Sequence, residues 1–294
     1  MTEFLQLMSM GLLEGGLYAL LAVSIVLVYK STQVASLAHG QILAFGAIFL
    51  FIFYGVMDLP FIFAILLSLV ASGVMGLVIE RSTMRPLIGQ PLFASFLVTF
   101  AVFMLFDGIF QLIIKGGILS FPAFLPKGGI AVLGVSIPKG QLISFIVALV
   151  LFGVLGLLFR YTKIGLGLRA SAEDHQLAQS TGISVKQIFT IIWVISSMVA
   201  CISGIATASI TDIYYTLPQM GIKGLIVALF GGLESIPGAL LGGLLLGVLE
   251  NVSAGYLDPI VGGGVKEVAA YVMLLLILLI RPYGLFGQVR IERI

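Results

Sequence analysis

Residues 222–252 read IKGLIVALFGGLESIPGALLGGLLLGVLENV. The run is apolar enough to enter a bilayer, yet as one helix it would measure about 46 Å, against about 30 Å of hydrocarbon. Its centre holds Gly231, Gly232, Glu234, Pro237 and Gly238, residues that break helices and admit water. The stretch therefore predicts two short helices joined at a break, a broken or re-entrant pair. The charges on the rest of the chain test that choice.

The 294 residues are 60% hydrophobic and only 10% charged, with a mean hydropathy of +1.20. A soluble domain of this size cannot hide so much apolar surface, so the chain reads as an all-α, polytopic integral membrane bundle within a lipid bilayer. Apolar runs predict spans at 8–29, 40–57, 61–80, 92–114, 141–159, 188–211 and 267–281. With the pair at 222–252 the total is about eight to nine membrane segments in one domain, 1–294. If the loop at 161–187 is cytoplasmic and 222–252 is broken, ten Lys and Arg lie inside and five outside. A single span at 222–252 would flip the last helix and level the count at eight against seven. The break is the better reading, with the N-terminus outside and the C-terminus cytoplasmic. The start carries Glu3 in place of a basic run, so the first span is expected to act as its own insertion signal.

Residues 161–187, YTKIGLGLRASAEDHQLAQSTGISVKQ, form the longest polar run. A loop carrying Lys163, Arg169, Glu173, Asp174 and Lys186 cannot lie in hydrocarbon. Ser171 with Asp174 three residues on resembles a capping box, and Gly182 is a natural stop, which predicts a short helix over 171–181. Ala170, Leu177 and Ala178 give it a small apolar patch. It is either a solvated connector or a docking helix that passes force from a soluble partner to the spans beside it. The external connection 115–140, rich in Gly and Pro, is long enough to be functional but reads equally as a linker.

Several chemistries are excluded. No G-x-x-x-x-G-K-[ST] loop is present, so the chain has no ATPase site of its own. The two histidines, His39 and His175, have no metal-ligand spacing around them, and there is no G-x-S-x-G turn. A net charge of +2, with the basic residues spread between spans, gives no footprint for nucleic acid. Cys201, alone in an apolar span, reads as a small buried hydrophobe. Glu14, Asp107, Glu234 and Glu250 lie in or near apolar runs, where carboxylates are costly and often functional. An ion-coupled carrier would need one of them at mid-depth, and the broken pair points to a transport pathway of either energy source. The spacings Gly238-x-x-x-Gly242 and Gly243-x-x-x-Gly247 allow close helix crossing, within the chain or between subunits.

An ordered set of short motifs runs from end to end: Gly15-Gly16-Leu17-Tyr18-Ala19-Leu20, Ala38-His39-Gly40 with Gly46-Ala47, Arg85-Pro86-Leu87, Thr162-x-x-Gly165 with Arg169-Ala170, and Ala178-x-x-x-Gly182-Ile183. It continues through Gly231-Gly232-Leu233-x-Ser235-x-Pro237-Gly238-Ala239, Gly242-Gly243, Glu250 and Arg281-Pro282-x-Gly284-Leu285-Phe286-Gly287. In these residues the chain resembles the permease subunits of ATP-driven (ABC) importers for branched-chain amino acids, of the high-affinity leucine/isoleucine/valine type. The resemblance implies a non-catalytic, channel-forming subunit in a bacterial inner membrane. It implies a second related permease, two ATP-binding subunits and an external solute-binding protein as partners, with no cofactor on this chain. It implies a coupling helix seated on the ATPase, through Arg169, Ala170, Glu173, Asp174, Leu177, Ala178 and Gly182, where Gln176-Leu177 replace the Glu-Ala of the family's E-A-A-x-x-x-G pattern. His39, Gly40, Gly231, Gly232, Glu234, Pro237 and Gly238 are expected on the translocation path or its hinge. Related importers carry urea, short amides or aromatic acids.

Overall fold

The computed structural model describes residues 2–132, 134–173 and 175–287, and the side chains of all of these but Val132, His175 and Gln176. Its helices in chain order are α1 Thr2–Thr32, α2 His39–Leu50, α3 Phe61–Ile79, α4 Leu92–Ile114, α5 Lys139–Tyr161 and α6 Lys163–Glu173. After these come α7 His175–Ser180, α8 Val185–Thr211, α9 Met220–Gly231, α10 Ile236–Val261 and α11 Val265–Ile280. A π-helical turn, Phe51–Val56, prolongs α2, and another, Glu80–Met84, prolongs α3. A small hairpin, β1 Gly129–Val132 and β2 Val135–Pro138, sits in the 115–140 connection. Among the described residues seven helical segments are long and apolar enough to cross a membrane; the short α9 and α11 complete the bundle.

The core is built around α1. Every residue from 15 to 28 is buried, which fits a sequence that is apolar all the way round. α5, α8, α9 and α10 pack on it. Close approach to α10 depends on small residues: a β-carbon on Gly15 would fall 2.5 Å from the Gly243 carbonyl oxygen, and one on Gly247 2.3 Å from that of Gly11. The second stripe on α10, Gly238 and Gly242, faces α9. Both small-residue spacings are thus used inside the chain, where lipid supplies no hydrophobic drive and backbone proximity does the packing.

The outer helices reverse the soluble pattern. α4 buries Ser95, Thr99, Val102, Phe110 and Ile114, while Leu97, Met104, Leu105 and Leu112 face outward. α5 turns Ser144, Ala148, Phe152, Leu155 and Phe159 inward. Such stripes suit helices whose outer surroundings are as apolar as leucine. The hairpin is tied to α1: the Gln6 side chain donates to the Ser136 carbonyl at 2.7 Å and accepts from its N–H at 2.8 Å.

Two expectations need correction. The break at 231–238 is present, but only its first arm is short. α10 runs for 26 residues, about 39 Å and a full crossing, because Gly242, Gly243 and Gly247 are spent on packing and do not interrupt it. The 161–187 stretch carries two helices in place of one starting at Ser171. α6 begins at Lys163, where the Thr162 hydroxyl accepts the Gly165 N–H at 3.3 Å as an N-cap. Ser171 lies buried in the last turn of α6, so it starts no helix.

Candidate translocation path and coupling face

The break is held by backbone contacts. α9 ends at Gly231; Ser235 then caps α10, its hydroxyl accepting from Gly238 N at 3.0 Å, with Pro237 in the first turn where no N–H is needed. Residues 281–287 fold back over the end of α9. Leu285 N donates to the Phe230 carbonyl at 2.9 Å and Phe286 N to that of Gly231 at 3.1 Å, satisfying acceptors that a helix end leaves bare. Gly232 takes a positive φ of 101° against Gly287. Partly buried Glu234 lines a cleft of about 210 Å³ with Tyr29, Leu233, Pro282 and Tyr283.

Tyr29, near the end of α1, lines the cleft with Glu234, and α6 packs on α1 as well as on α5. The break and the 161–187 loop therefore share one face of the bundle. Arg169 itself donates to the Phe159 carbonyl near the end of α5, and Gly165 packs so closely on that carbonyl that a β-carbon there would overlap it. These contacts explain Thr162-x-x-Gly165 and Arg169 as the fold-back of α6 on α5. Ala178 is buried with Val185 and Phe189, and Ala170 packs against the same cluster. The apolar patch expected to face a partner is therefore turned inward at both alanines. Leu177 is 66% exposed, Glu173 is exposed, and Gly182 closes the loop at φ 86°. Asp174 lies outside the described residues.

The other end of α9 lies inside the bundle. Its 12 residues measure about 18 Å, less than the roughly 30 Å of a hydrocarbon core. There it meets the start of α2: a β-carbon on Gly40 would fall 2.7 Å from the Gly221 Cα. His39 is fully buried, its Nε2 3.2 Å from Ser196 Oγ and its ring 5.5 Å from that of Trp193. It exposes nothing, so it is packed between α2 and α8 and is not the wall of an open path.

Three carboxylates singled out in the apolar runs have partners. Glu250, fully buried, accepts from Tyr18 Oη at 3.0 Å and from Lys223 Nζ at 3.1 Å, with the ammonium 5.3 Å from the centre of the Tyr18 ring. Glu14 pairs with Lys266 and accepts from Asn251 Nδ2 at 3.1 Å. Asp107 accepts from Gln41 Nε2 at 3.1 Å. Lys223, counted from sequence among the outer charges, lies one turn into α9 with only 16% of its side chain exposed, held by Glu250. A third ion pair joins residues not singled out as a pair from the sequence. Arg85 holds buried Glu80 through Nε at 3.1 Å and Nη2 at 3.3 Å, and Nη2 also donates to Thr190 Oγ1 at 2.7 Å. Opposite charges five residues apart at the end of a span were its only signal.

Comparison with known proteins fits this architecture. Residues 7–281 match the family described as branched-chain amino acid transport system / permease component. The permease protein BraD of the high-affinity branched-chain amino acid transport system of Pseudomonas aeruginosa is 31% identical over 311 residues, covering 99% of this chain and 98% of that one. LivH of Escherichia coli, with the same description, is 28% identical over 308 residues at 99% and 98% coverage. Among solved structures, PsaBC from Streptococcus pneumoniae in complex with Fab has a TM-score of 0.51 at 15% identity, covering 96% of this chain and 94% of that one; this is a likeness of fold. With the family match spanning nearly its whole length, the chain belongs to the permease components of branched-chain amino acid transport systems.

Proposed function

We propose that this chain is the channel-forming subunit of an ATP-driven importer for branched-chain amino acids in a bacterial inner membrane. It works with a second related permease, two ATP-binding subunits and an external solute-binding protein, and holds no ATPase site of its own. The observation that carries the reading is the single face shared by the 161–187 loop, the end of α1 and the break at Glu234. A soluble motor seated on exposed Leu177 and Glu173 pushes on α6, and α6 bears on the ends of α5 and α1. α1 in turn is the core against which the half-length α9 packs. We infer that this face is cytoplasmic and the N-terminus outside, a reading supported by the excess of Lys and Arg on that side.

Leucine uptake in cells lacking only this chain, with and without the restored gene, tests the substrate. Gentle detergent purification followed by identification of the co-purifying chains tests the assembly. Leucine uptake should vanish with the gene and return with it, and an ATP-binding subunit should accompany the permease. Unchanged leucine uptake with lost urea or aromatic-acid uptake would overturn the substrate. A chain that isolates alone and transports on a proton gradient would overturn the class.

A further inference from the structure

A cleft of about 140 Å³ opens between the start of α9, the irregular segment before it and α11. Lys223 from α9 and Glu267 from α11 line opposite walls, with Tyr214, Thr216 and Gln219 between them and Ile226 and Ala270 supplying apolar surface. The Lys223 side chain keeps 16% of its surface open although it already donates to Glu250, and an ammonium has three protons to give. Glu267 and Gln219 are exposed, and Glu267 has no ion-pair partner among the described residues.

This is an unusual lining for the flank of a membrane protein. Irregular backbone and charged side chains at membrane depth are tolerated only where protein or water covers them. Half-length helices starting inside a membrane are where transporters commonly place their solutes. The volume falls below the roughly 300 Å³ at which drug-sized ligand pockets begin, so only a small solute fits. Opposite charges on facing walls, with apolar surface beside them, match a small molecule carrying both an ammonium and a carboxylate on an apolar stem.

We propose that this cleft is a way-station on the import path, with Lys223 facing the carboxylate of a zwitterionic amino acid and Glu267 facing its ammonium group. The inference rests on the chain being an amino-acid import subunit. Holding is weak, because Lys223 stays shared with Glu250 and the cleft stays wet; a tight site would slow release.

The test uses the whole transporter in membranes. In a Cys201→Ala background, Thr216→Cys should react with externally added methanethiosulfonate ethylammonium, and leucine transport should slow that reaction at least fivefold. Glu267→Gln should lower leucine uptake at least fivefold with the amount in the membrane and the co-purifying subunits unchanged. Glu3→Gln, on the exposed first turn of α1, should leave uptake alone. Since Lys223→Gln would strand buried Glu250, the variant used is Lys223→Gln/Glu250→Gln, which removes both charges and should also lose uptake. An unreactive Thr216→Cys, or wild-type uptake in both charge variants, overturns the proposal. If the unaltered chain carries a different zwitterion, the leucine reading fails while protection by that solute upholds the cleft; a carried solute without paired charges overturns both.

Discussion

Gly231 and Gly238 face each other backbone to backbone. A β-carbon on either would sit 2.2 Å from the other's carbonyl oxygen. This contact lets the chain leave α9 and enter α10 within four residues. It also sets the carbonyls of Phe230 and Gly231 where Leu285 and Phe286 reach them.

Gly231→Ala or Gly238→Ala should therefore destabilise the permease by about 3 kcal/mol or more, since the clash is with backbone and cannot be relieved by a rotamer. Thermal unfolding in detergent should show a lowered midpoint for each. The same change at Gly262, where a β-carbon would meet nothing within 4 Å but φ is 95°, should cost only about 1 kcal/mol.

The crossing of α1 and α10 should be equally intolerant. Gly247→Leu would drive a side chain into the backbone of Gly11 and Gly15, and the variant should fail to accumulate in membranes. Measured by immunoblot of membrane fractions, Leu245→Ala on the exposed side of α10 should remain at wild-type level.

Arg85→Leu should cost about 3 kcal/mol, the lower part of the range for breaking a buried pair, because Glu80 would be left buried without its charge partner while the guanidinium is itself 31% exposed and partly screened. Adding Glu80→Gln should recover part of that loss. A double-mutant cycle on thermal unfolding measures the coupling, expected at about 1–3 kcal/mol.

Leu177→Asp and Ala178→Asp, adjacent in sequence, should fail in different ways. Leu177 is exposed, so its variant should keep its fold and lose roughly tenfold in affinity for the ATP-binding subunit, about 1.4 kcal/mol. Ala178 is 3% exposed against Val185 and Phe189, so an aspartate there should open the loop. Limited proteolysis of residues 175–184, read beside co-purification, separates the two.

Much of this protein is legible in its residues because lipid imposes a length and a polarity on every span. The apolar runs, the water-facing loop at 161–187 and the break at 231–238 follow from hydropathy, charge and glycine chemistry, which act locally. The end-to-end family resemblance was legible in the same way, as a set of ordered motifs. What those residues touch was not, because contacts across the bundle join positions hundreds of residues apart.

Only the fold turned Ala170 and Ala178 inward, extended α10 through its glycines and sealed His39 against Trp193. It alone brought Lys223 to Glu250 and faced it across a cleft from Glu267. A lysine one turn past an irregular segment looks external in sequence. It is mostly covered instead, because α9 packs among α1, α2 and α10, and a charge enclosed there persists only beside a partner. The sequence by itself determined that the chain crosses a membrane and where it breaks; which side chains line the path was decided by packing around α1.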